Sequence, residues 1–237
     1  MITWQRPILE RLLELNYSVD VFLEKTLTEK IDSTKAIVFY RCGEWSDELK
    51  LKVAEFVQNG GSVLLIGNES VDELGGVLDK SEKSPLADKD ETWFLDLYRY
   101  GSGKIVAFPT PVGSPQEFID ANGETFNDYL ALAVRTVFPT PIVQFDNPLP
   151  IDVSIRRSQT GQLTVHLVNV SGPHEQAGIL DSIEPIVNVK TTLNLDKKPQ
   201  RIRLEPSGID LAFKWEDGRA EFDIPSIPIY EIITIED

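Results

Sequence analysis

Hydrophobic and polar positions follow two different rhythms along this chain, and the change falls near residue 140. Before that point, apolar residues recur at helical spacing or in short continuous runs. After it, they alternate with polar residues at a period of two. Helices that alternate with continuous apolar strands predict a mostly parallel sheet, whereas period two predicts antiparallel strands. The chain therefore predicts an α/β domain over residues 1–143 and an all-β antiparallel sandwich over residues 144–237.

Helical periodicity in the first part predicts helices over 7–15, where Asn16 ends the first, 47–59 and 125–139. Ser46 can cap the second helix, and Thr125 resembles the start of a capping box that would open the third. Apolar runs between the helices predict buried strands. These strands are Val19–Leu23, Ala36–Tyr40, Ser62–Ile66 and Lys104–Phe108.

Residues 71–91 break this pattern, because they are polar and charged and contain Gly75, Gly76 and Pro85. Glycine and proline punctuate regular structure, so the pattern predicts an irregular excursion over this stretch.

The second part contains short strands separated by turn residues. Asp217-Gly218 lies between alternating runs within Leu211–Ile224, which predicts a tight hairpin. Other alternating runs begin near Ile151, Leu163, Val187, Ile202 and Ile229. Several short strands with turns between them are typical of an antiparallel sandwich.

Charge narrows the choice of partners. The chain has 38 acidic and 23 basic residues, which gives a net charge of -15. Such a surface repels phosphate backbones and anionic lipid, so we expect neither nucleic acid nor a membrane as a partner. Neutral carbohydrate or another protein fits better.

Cys42 is the single cysteine, so an internal disulfide and a cysteine-rich zinc site are excluded. The sequence shows no leader pattern and no apolar run long enough for a membrane span, and we expect a cytoplasmic protein. Gly101-Ser102-Gly103 precedes a strand and lacks the lysine of a phosphate loop, so no cofactor is predicted.

Several pieces resemble one family of enzymes. They are residues 47–67, 98–106, 164–172 and 222–236. Together they are similar to the amidotransferase-like trimerisation domain and the C-terminal β-sandwich of β-galactosidases in glycoside hydrolase family 42. The resemblance implies a flavodoxin-like or amidotransferase-like fold for the first domain. It also implies homo-oligomerisation and support of a catalytic barrel.

Departures from the family pattern bear on activity. Amidotransferase relatives place a nucleophilic cysteine where this chain has Gly67. The barrel that carries the catalytic carboxylates of the family does not precede Met1, and the usual first, central strand of the domain is also missing. The resemblance therefore implies no catalytic residue within this chain, and we expect an accessory portion of a larger enzyme.

The first candidate ligand pocket comprises Cys42, Glu44 and Trp45. These residues follow an apolar strand at its carboxyl end, where open α/β sheets bind ligands, and they combine thiol, carboxylate and indole. The alternative is that a lone cysteine in a short loop is inert. A reactive Cys42 would favour an amidotransferase-like hydrolase, whereas an inert Cys42 would favour a noncatalytic domain.

His174 and Glu175 form the second candidate, a contact for sugar or metal in a Gly-Pro loop. His166 and His174 make only a weak metal pattern, and no metal site is predicted. His166 alternates with apolar neighbours in a strand, which places it on the face opposite the core.

The remaining candidates have simpler interpretations. Glu69, Asp72 and Glu73 follow a strand and could mimic a catalytic carboxylate pair, but a solvated helix start is the plainer interpretation. A stand-alone sugar-binding protein would need an exposed aromatic platform. The tryptophans that could supply one are Trp4, Trp45, Trp93 and Trp215, and alternation with Phe213 places Trp215 in hairpin packing.

Overall fold

A computed structural model describes residues 6–90, 93–108, 115–158, 161–172 and 183–236. The chain forms two compact units. Unit 1 contains Val21–Pro139 together with Met1–Arg6. Unit 2 contains Thr140–Asp237 together with the separate segment Pro7–Asp20.

Unit 1 is built on a mixed five-stranded sheet of order β1-β2-β5-β4-β3. Strands β1, β2 and β5 pair in parallel, whereas β4 pairs antiparallel with β5 and β3 pairs antiparallel with β4. Parallel pairing, which was expected for most of the sheet, is therefore confined to β1, β2 and β5. The strands are β1 (Ala36–Tyr40), β2 (Ser62–Ile66), β3 (Glu82–Asp90), β4 (Trp93–Tyr100) and β5 (Gly103–Phe108).

Helix α3 (Asp47–Gln58) connects β1 to β2 and confirms the helix predicted there. The Ser46 hydroxyl accepts a hydrogen bond from the Leu49 amide at 3.1 Å, which caps the first turn. The other helices of unit 1 are α2 (Glu24–Lys30), α4 (Asn68–Glu73), α5 (Gly75–Leu78) and α6 (Pro115–Val137), and a 3-10 turn spans Ile31–Ser33.

The interior strand β2 is buried on both faces, which explains its continuous apolar sequence. On one face, Val63 and Leu65 lie in a cluster with the buried side of α3. On the other face, α6 packs against β2 and β5, and Phe108 stacks on Phe126 with ring centroids 5.6 Å apart.

Three local predictions for unit 1 are wrong. The run 19–23 forms no strand, because among the described residues nothing pairs with it, and Val21 and Leu23 are exposed. The stretch 71–91 is largely regular and holds α4, α5 and β3, since a proline such as Pro85 is tolerated on an edge strand. Thr125 lies inside α6, which begins ten residues earlier at Pro115, so it opens no helix.

The turn between β4 and β5 explains Gly101 and Gly103. The Ser102 amide donates to the Gln58 carbonyl at 3.0 Å, so the turn lies directly against the end of α3. A Cβ at Gly103 would overlap the Val57 carbonyl oxygen, and Gly101 has a φ of 62°. These glycines serve close backbone approach rather than phosphate binding.

Unit 2 contains two antiparallel sheets of order β11-β10-β14-β8-β7 and β12-β13-β9-β6. Side chains from both sheets form one buried hydrophobic cluster, an arrangement compatible with the predicted sandwich. The strands are β6 (Val143–Phe145), β7 (Ile151–Arg157), β8 (Leu163–Asn169), β9 (Ile186–Asn194), β10 (Arg201–Glu205), β11 (Ile209–Asp210), β12 (Lys214–Glu216), β13 (Arg219–Ile227) and β14 (Tyr230–Glu236).

The hairpin predicted at Asp217-Gly218 is confirmed. It joins β12 to β13, and the two turn residues have φ values of 48° and 78°. Positive φ at both central residues is the signature of the two-residue turn that matches strand twist.

The segment Pro7–Asp20 of unit 2 begins with helix α1 (Arg6–Glu14), whose predicted end before Asn16 is confirmed. Asn16 is buried and has a φ of 60°. Its amide nitrogen donates to the carbonyls of Leu149 and Ile151 at 2.9 and 2.8 Å, and its oxygen accepts from the Leu149 amide at 3.1 Å. Ser18 then accepts from the Ile155 amide at 3.1 Å, on the edge of β7.

Candidate functional site

The first candidate pocket lies where two neighbouring parallel strands end. The loop 41–46 follows β1, and Gly67 and helix α4 follow β2, whose residues pair in direct register with those of β1. Carboxyl ends of parallel strands are the usual ligand side of an open α/β sheet. The position is therefore the natural place to look for chemistry in unit 1.

The loop has a strained backbone. Arg41 and Glu44 have φ values of 48° and 59°, in the left-handed region that residues other than glycine rarely occupy. Such conformations persist only where surrounding contacts fix them. The contacts here come from α4 and α3.

Arg41 forms an ion pair with Glu69. The guanidinium donates from Nη2 and Nε to Glu69 Oε1 at 2.7 and 3.1 Å. This hydrogen bond lowers the pKa of the Glu69 carboxyl, although partial burial opposes the shift. Next to this pair, burial raises the pKa of the Tyr40 phenol.

Glu73 forms the second ion pair of the loop. Its Oε2 lies 2.7 Å from Lys50 Nζ, and its Oε1 accepts a short hydrogen bond from the Glu44 amide. The hydrogen bond with Lys50 lowers the pKa of Glu73 and raises that of Lys50. Glu69 and Glu73 are therefore structural anions that hold the loop, and the Glu44 carboxylate is exposed.

The resemblance to amidotransferase-like domains would put a nucleophile at the position of Gly67, but the structure leaves no room for a side chain there. A Cβ at Gly67 would lie 2.8 Å from Arg41 Cγ and 2.9 Å from Glu69 Oε2. Its φ of 90° and ψ of 146° also lie close to a region that only glycine populates. The Arg41–Glu69 pair occupies the space that a side chain at position 67 would need.

Cys42 is half-buried and engaged. Its thiol donates to the Tyr40 carbonyl at 3.3 Å, and its amide donates to Ser70 Oγ at 2.9 Å. Burial raises the pKa of the thiol, partly offset by the hydrogen bond to Tyr40. A nucleophilic cysteine needs a lowered pKa, so this environment opposes the amidotransferase-like alternative.

Trp45 is buried in the core of unit 1. Its ring lies 4.0 Å from the ring of Phe39, and its indole nitrogen donates to the Cys42 carbonyl at 2.8 Å. The side chain therefore presents no face for a sugar ring. Trp215 is half-buried against the sandwich cluster, and the side chains of Trp4 and Trp93 lie outside the described residues.

His166 lies on the outer face of β8, as its alternation predicts. Its Nδ1 lies 2.5 Å from the Tyr230 hydroxyl, and its Nε2 lies 3.3 Å from Thr164 Oγ1. His174 and Glu175, the second candidate, lie outside the described residues. Among the residues that are described, no group of three or more histidine, cysteine, aspartate or glutamate side chains could hold a metal ion.

The sequence missed the partners that define the loop. Arg41 and Glu69 are 28 residues apart, and Glu44 and Glu73 are 29 residues apart. Only the parallel register of β1 and β2 brings these residues together. One sequence signal could have suggested these contacts. Arg41 and Glu44 follow one apolar run of five residues, and Glu69 and Glu73 follow a second run of the same length.

No protein-family model and no curated protein matches the chain. Solved structures do match its fold. α-L-Fucosidase isoenzyme 2 from Paenibacillus thiaminolyticus is similar over 97% of this chain, with 15% identity and a TM-score of 0.65. The β-galactosidase from Bacillus circulans sp. alkalophilus is similar over 95%, with 14% identity and a TM-score of 0.54.

A cold-adapted β-galactosidase from Rahnella sp. R3 is similar over 94% of this chain, with 11% identity and a TM-score of 0.50. The chain spans 44%, 36% and 35% of the lengths of these three enzymes. The structural neighbours are thus glycoside hydrolases, and the likeness shows a shared fold. Within the described part of the chain, no helix is both long and apolar enough to cross a membrane.

Proposed function

We propose that this chain is a noncatalytic accessory region of a glycoside hydrolase, related to β-galactosidases, that serves self-association and the support of a catalytic barrel. The observation that carries the proposal is the fold likeness to a glycosidase over 97% of this chain but only 44% of the enzyme. A flavodoxin-like or amidotransferase-like fold for unit 1 is part of the same proposal.

The geometry of the loop 41–46 supports a noncatalytic role. Two ion pairs, Arg41–Glu69 and Lys50–Glu73, neutralise the charged groups that could have served chemistry. Gly67 supplies no nucleophile, and the Cys42 thiol has a raised pKa. The barrel, the carbohydrate substrate and an oligomeric assembly are proposed from the resemblance, and the cytoplasmic location is proposed from the sequence.

The first experiment is the mass of the native polypeptide in its source cell, measured by immunoblot with an antibody against this chain. A band larger than 26.6 kDa by about 250 residues, the typical size of a barrel, is the expected result. A band at 26.6 kDa would contradict the proposal that this chain and a barrel belong to one polypeptide.

The second experiment separates accessory from catalytic function. The chain, at high concentration, is incubated with 4-nitrophenyl galactoside and fucoside, and we expect release no faster than in buffer. The Cys42 thiol is alkylated in parallel with iodoacetamide at neutral pH. We expect alkylation slower than that of free cysteine, and faster alkylation would revive the Cys42 hydrolase.

A further inference from the structure

Unit 2 is assembled from two separate parts of the chain. The segment Pro7–Asp20, the strap, is followed by all of Val21–Pro139, and the chain returns to unit 2 only at Thr140. The strap is therefore covalently continuous with unit 1, although its contacts group it with unit 2. Unit 1 is thus an insertion between two parts of the sandwich unit, which the change of sequence pattern near residue 140 does not reveal.

The helix of the strap ends on a left-handed asparagine. The Tyr17 amide donates to the Leu12 carbonyl at 3.1 Å, which closes the last turn of α1. Asn16 has a φ of 60°, a conformation that asparagine tolerates better than most residues with a side chain. Asn16 is also buried, so the polar atoms of its side chain need partners within the fold.

The Asn16 side chain takes the place of a neighbouring strand at the start of β7. Its nitrogen donates to the carbonyls of Leu149 and Ile151, and its oxygen accepts from the Leu149 amide. These bonds use both donors of the carboxamide and one of its acceptor positions. The site therefore selects a carboxamide, because a carboxylate has no hydrogen to donate and would face two carbonyl oxygens.

Hydrogen bonds and apolar burial, rather than charge, hold the rest of the strap. Ile8, Leu12 and Tyr17 are buried, and Ser18 accepts from the Ile155 amide on the edge of β7. The ion pair of the strap joins Asp20 to Arg156 at 3.7 Å, and both side chains are more than half exposed. Such a pair contributes little, so the attachment of the strap should depend only weakly on salt.

We propose that the strap fastens unit 1 to unit 2 noncovalently, through the β7 edge of the sandwich and the carboxamide of Asn16. A break in the chain between Pro139 and Thr140 then leaves the two parts of the chain bound to each other. This inference rests on the support role within the proposed function and names the segment that carries it, because a support made of two units depends on what joins them.

The test places a recognition site for a sequence-specific protease between Pro139 and Thr140 in the full chain. Both residues are exposed and lie between the end of α6 and the start of β6. After cleavage, we expect fragments 1–139 and 140–237 to elute together in size-exclusion chromatography, at high salt as at low salt. Separate elution of the cleaved wild-type fragments overturns the proposal.

Asn16→Asp is the variant that tests the contact, and Ser18→Thr is its control. Aspartate has nearly the shape of asparagine but lacks both donors, so two carbonyls lose their partner. We expect the cleaved fragments of Asn16→Asp to bind each other about tenfold more weakly or worse, and those of Ser18→Thr to bind like the wild type. Equal binding of Asn16→Asp and wild-type fragments would mean that other contacts join them, which overturns the role of the strap.

Amide hydrogen exchange on the cleaved wild type gives a measurement that needs no substitution in the strap. The Leu149 and Ile155 amides should be as protected as in the uncleaved chain while the fragments are bound, and should exchange faster once dilution separates them. Bound fragments in which these two amides are unprotected use another surface, which overturns the strap assignment but leaves the accessory role intact. A native mass of 26.6 kDa would instead remove the covalent barrel and leave this result unchanged.

Discussion

The edge strands β7 and β1 differ in how their unpaired backbone groups are protected. At β7, a segment from the start of the chain lies along the strand, with Asn16 bonded to Leu149 and Ile151 and Ser18 bonded to Ile155. At β1, the outward groups face no described segment. The difference teaches that the edge of β7 depends on a segment distant in the chain, whereas the apolar edge strand β1 has no such cover among the described residues.

The largest expected effect comes from removing the covering at β7. Asn16→Ala should lower the free energy of unfolding of unit 2 by about 3 kcal/mol, because it strands buried carbonyls and leaves alanine in a left-handed conformation. The measurement is hydrogen exchange of the β7 and β8 amides in a denaturant series. Asn16→Gly is the control that keeps the backbone freedom, and a loss below about 0.5 kcal/mol for Asn16→Ala would show that the contact is dispensable.

A smaller effect is expected at β3, the edge protected by charge. Lys83 lies 2.8 Å from Asp96, whose side chain is 9% exposed. Lys83→Met should cost about 1–2 kcal/mol, less than for a fully buried pair because Lys83 is itself half-exposed.

The matched control for this edge is Lys83→Arg, which keeps the charge and should be near wild type in urea unfolding. The hydrogen bond to Asp96 raises the pKa of Lys83, so the stabilisation is full below the ordinary lysine pKa of about 10.4 and is lost as pH rises through the raised value. Equal stability of Lys83→Met and Lys83→Arg at neutral pH would contradict the assignment.

Ser18→Ala opens the β7 edge without disturbing Asn16. We expect a loss of about 1 kcal/mol, the usual contribution of one hydrogen bond, and faster exchange of the Ile155 amide. Ser18→Thr keeps the hydroxyl and should behave as wild type. If Ile155 exchange is unchanged in Ser18→Ala, another group protects that amide and the comparison with β1 weakens.

The smallest effect is expected from Glu69, which pairs with Arg41 directly after β1. Because Arg41 lowers its pKa, Glu69 stabilises the folded state above the ordinary carboxyl pKa of about 4.3, and this stabilisation is lost as pH falls through the lowered value. Both side chains are partly exposed, so the contribution is below about 1 kcal/mol. Stability of wild type and Glu69→Gln should differ near pH 6 and converge in acid, and parallel curves would argue against the ion pair.

Features with a local cause could be predicted from sequence. Ser46 caps its own helix, and Asp217-Gly218 supplies the positive φ values that its turn requires. The start of α6 at Pro115 could not be predicted, because the helical pattern is clear only after Thr125. Strand β3 could not be predicted either. Its polar sequence suits an edge strand, but the sequence alone does not show that this segment lies at the edge of a sheet.

The candidate site divides in the same way. Its position after two apolar strands follows from sequence, since parallel strands align their carboxyl ends. The burial of Trp45 and the ion pairs of Glu69 and Glu73 could not be predicted, because they depend on contacts between side chains that are distant in sequence. The sequence therefore predicts where the loop lies, but not the ion pairs that hold it.

The contact of Asn16 with Ile151 joins residues 135 positions apart, with nearly all of unit 1 lying between them in the chain. On a ribosome that adds about 5–20 residues per second, the β7 partner emerges roughly 7–27 seconds after Asn16. Unit 1 can complete its own sheet during that interval. Until then, the apolar side chains of Ile8 and Leu12 in the first helix, which are buried in the folded protein, lack their partners near β7.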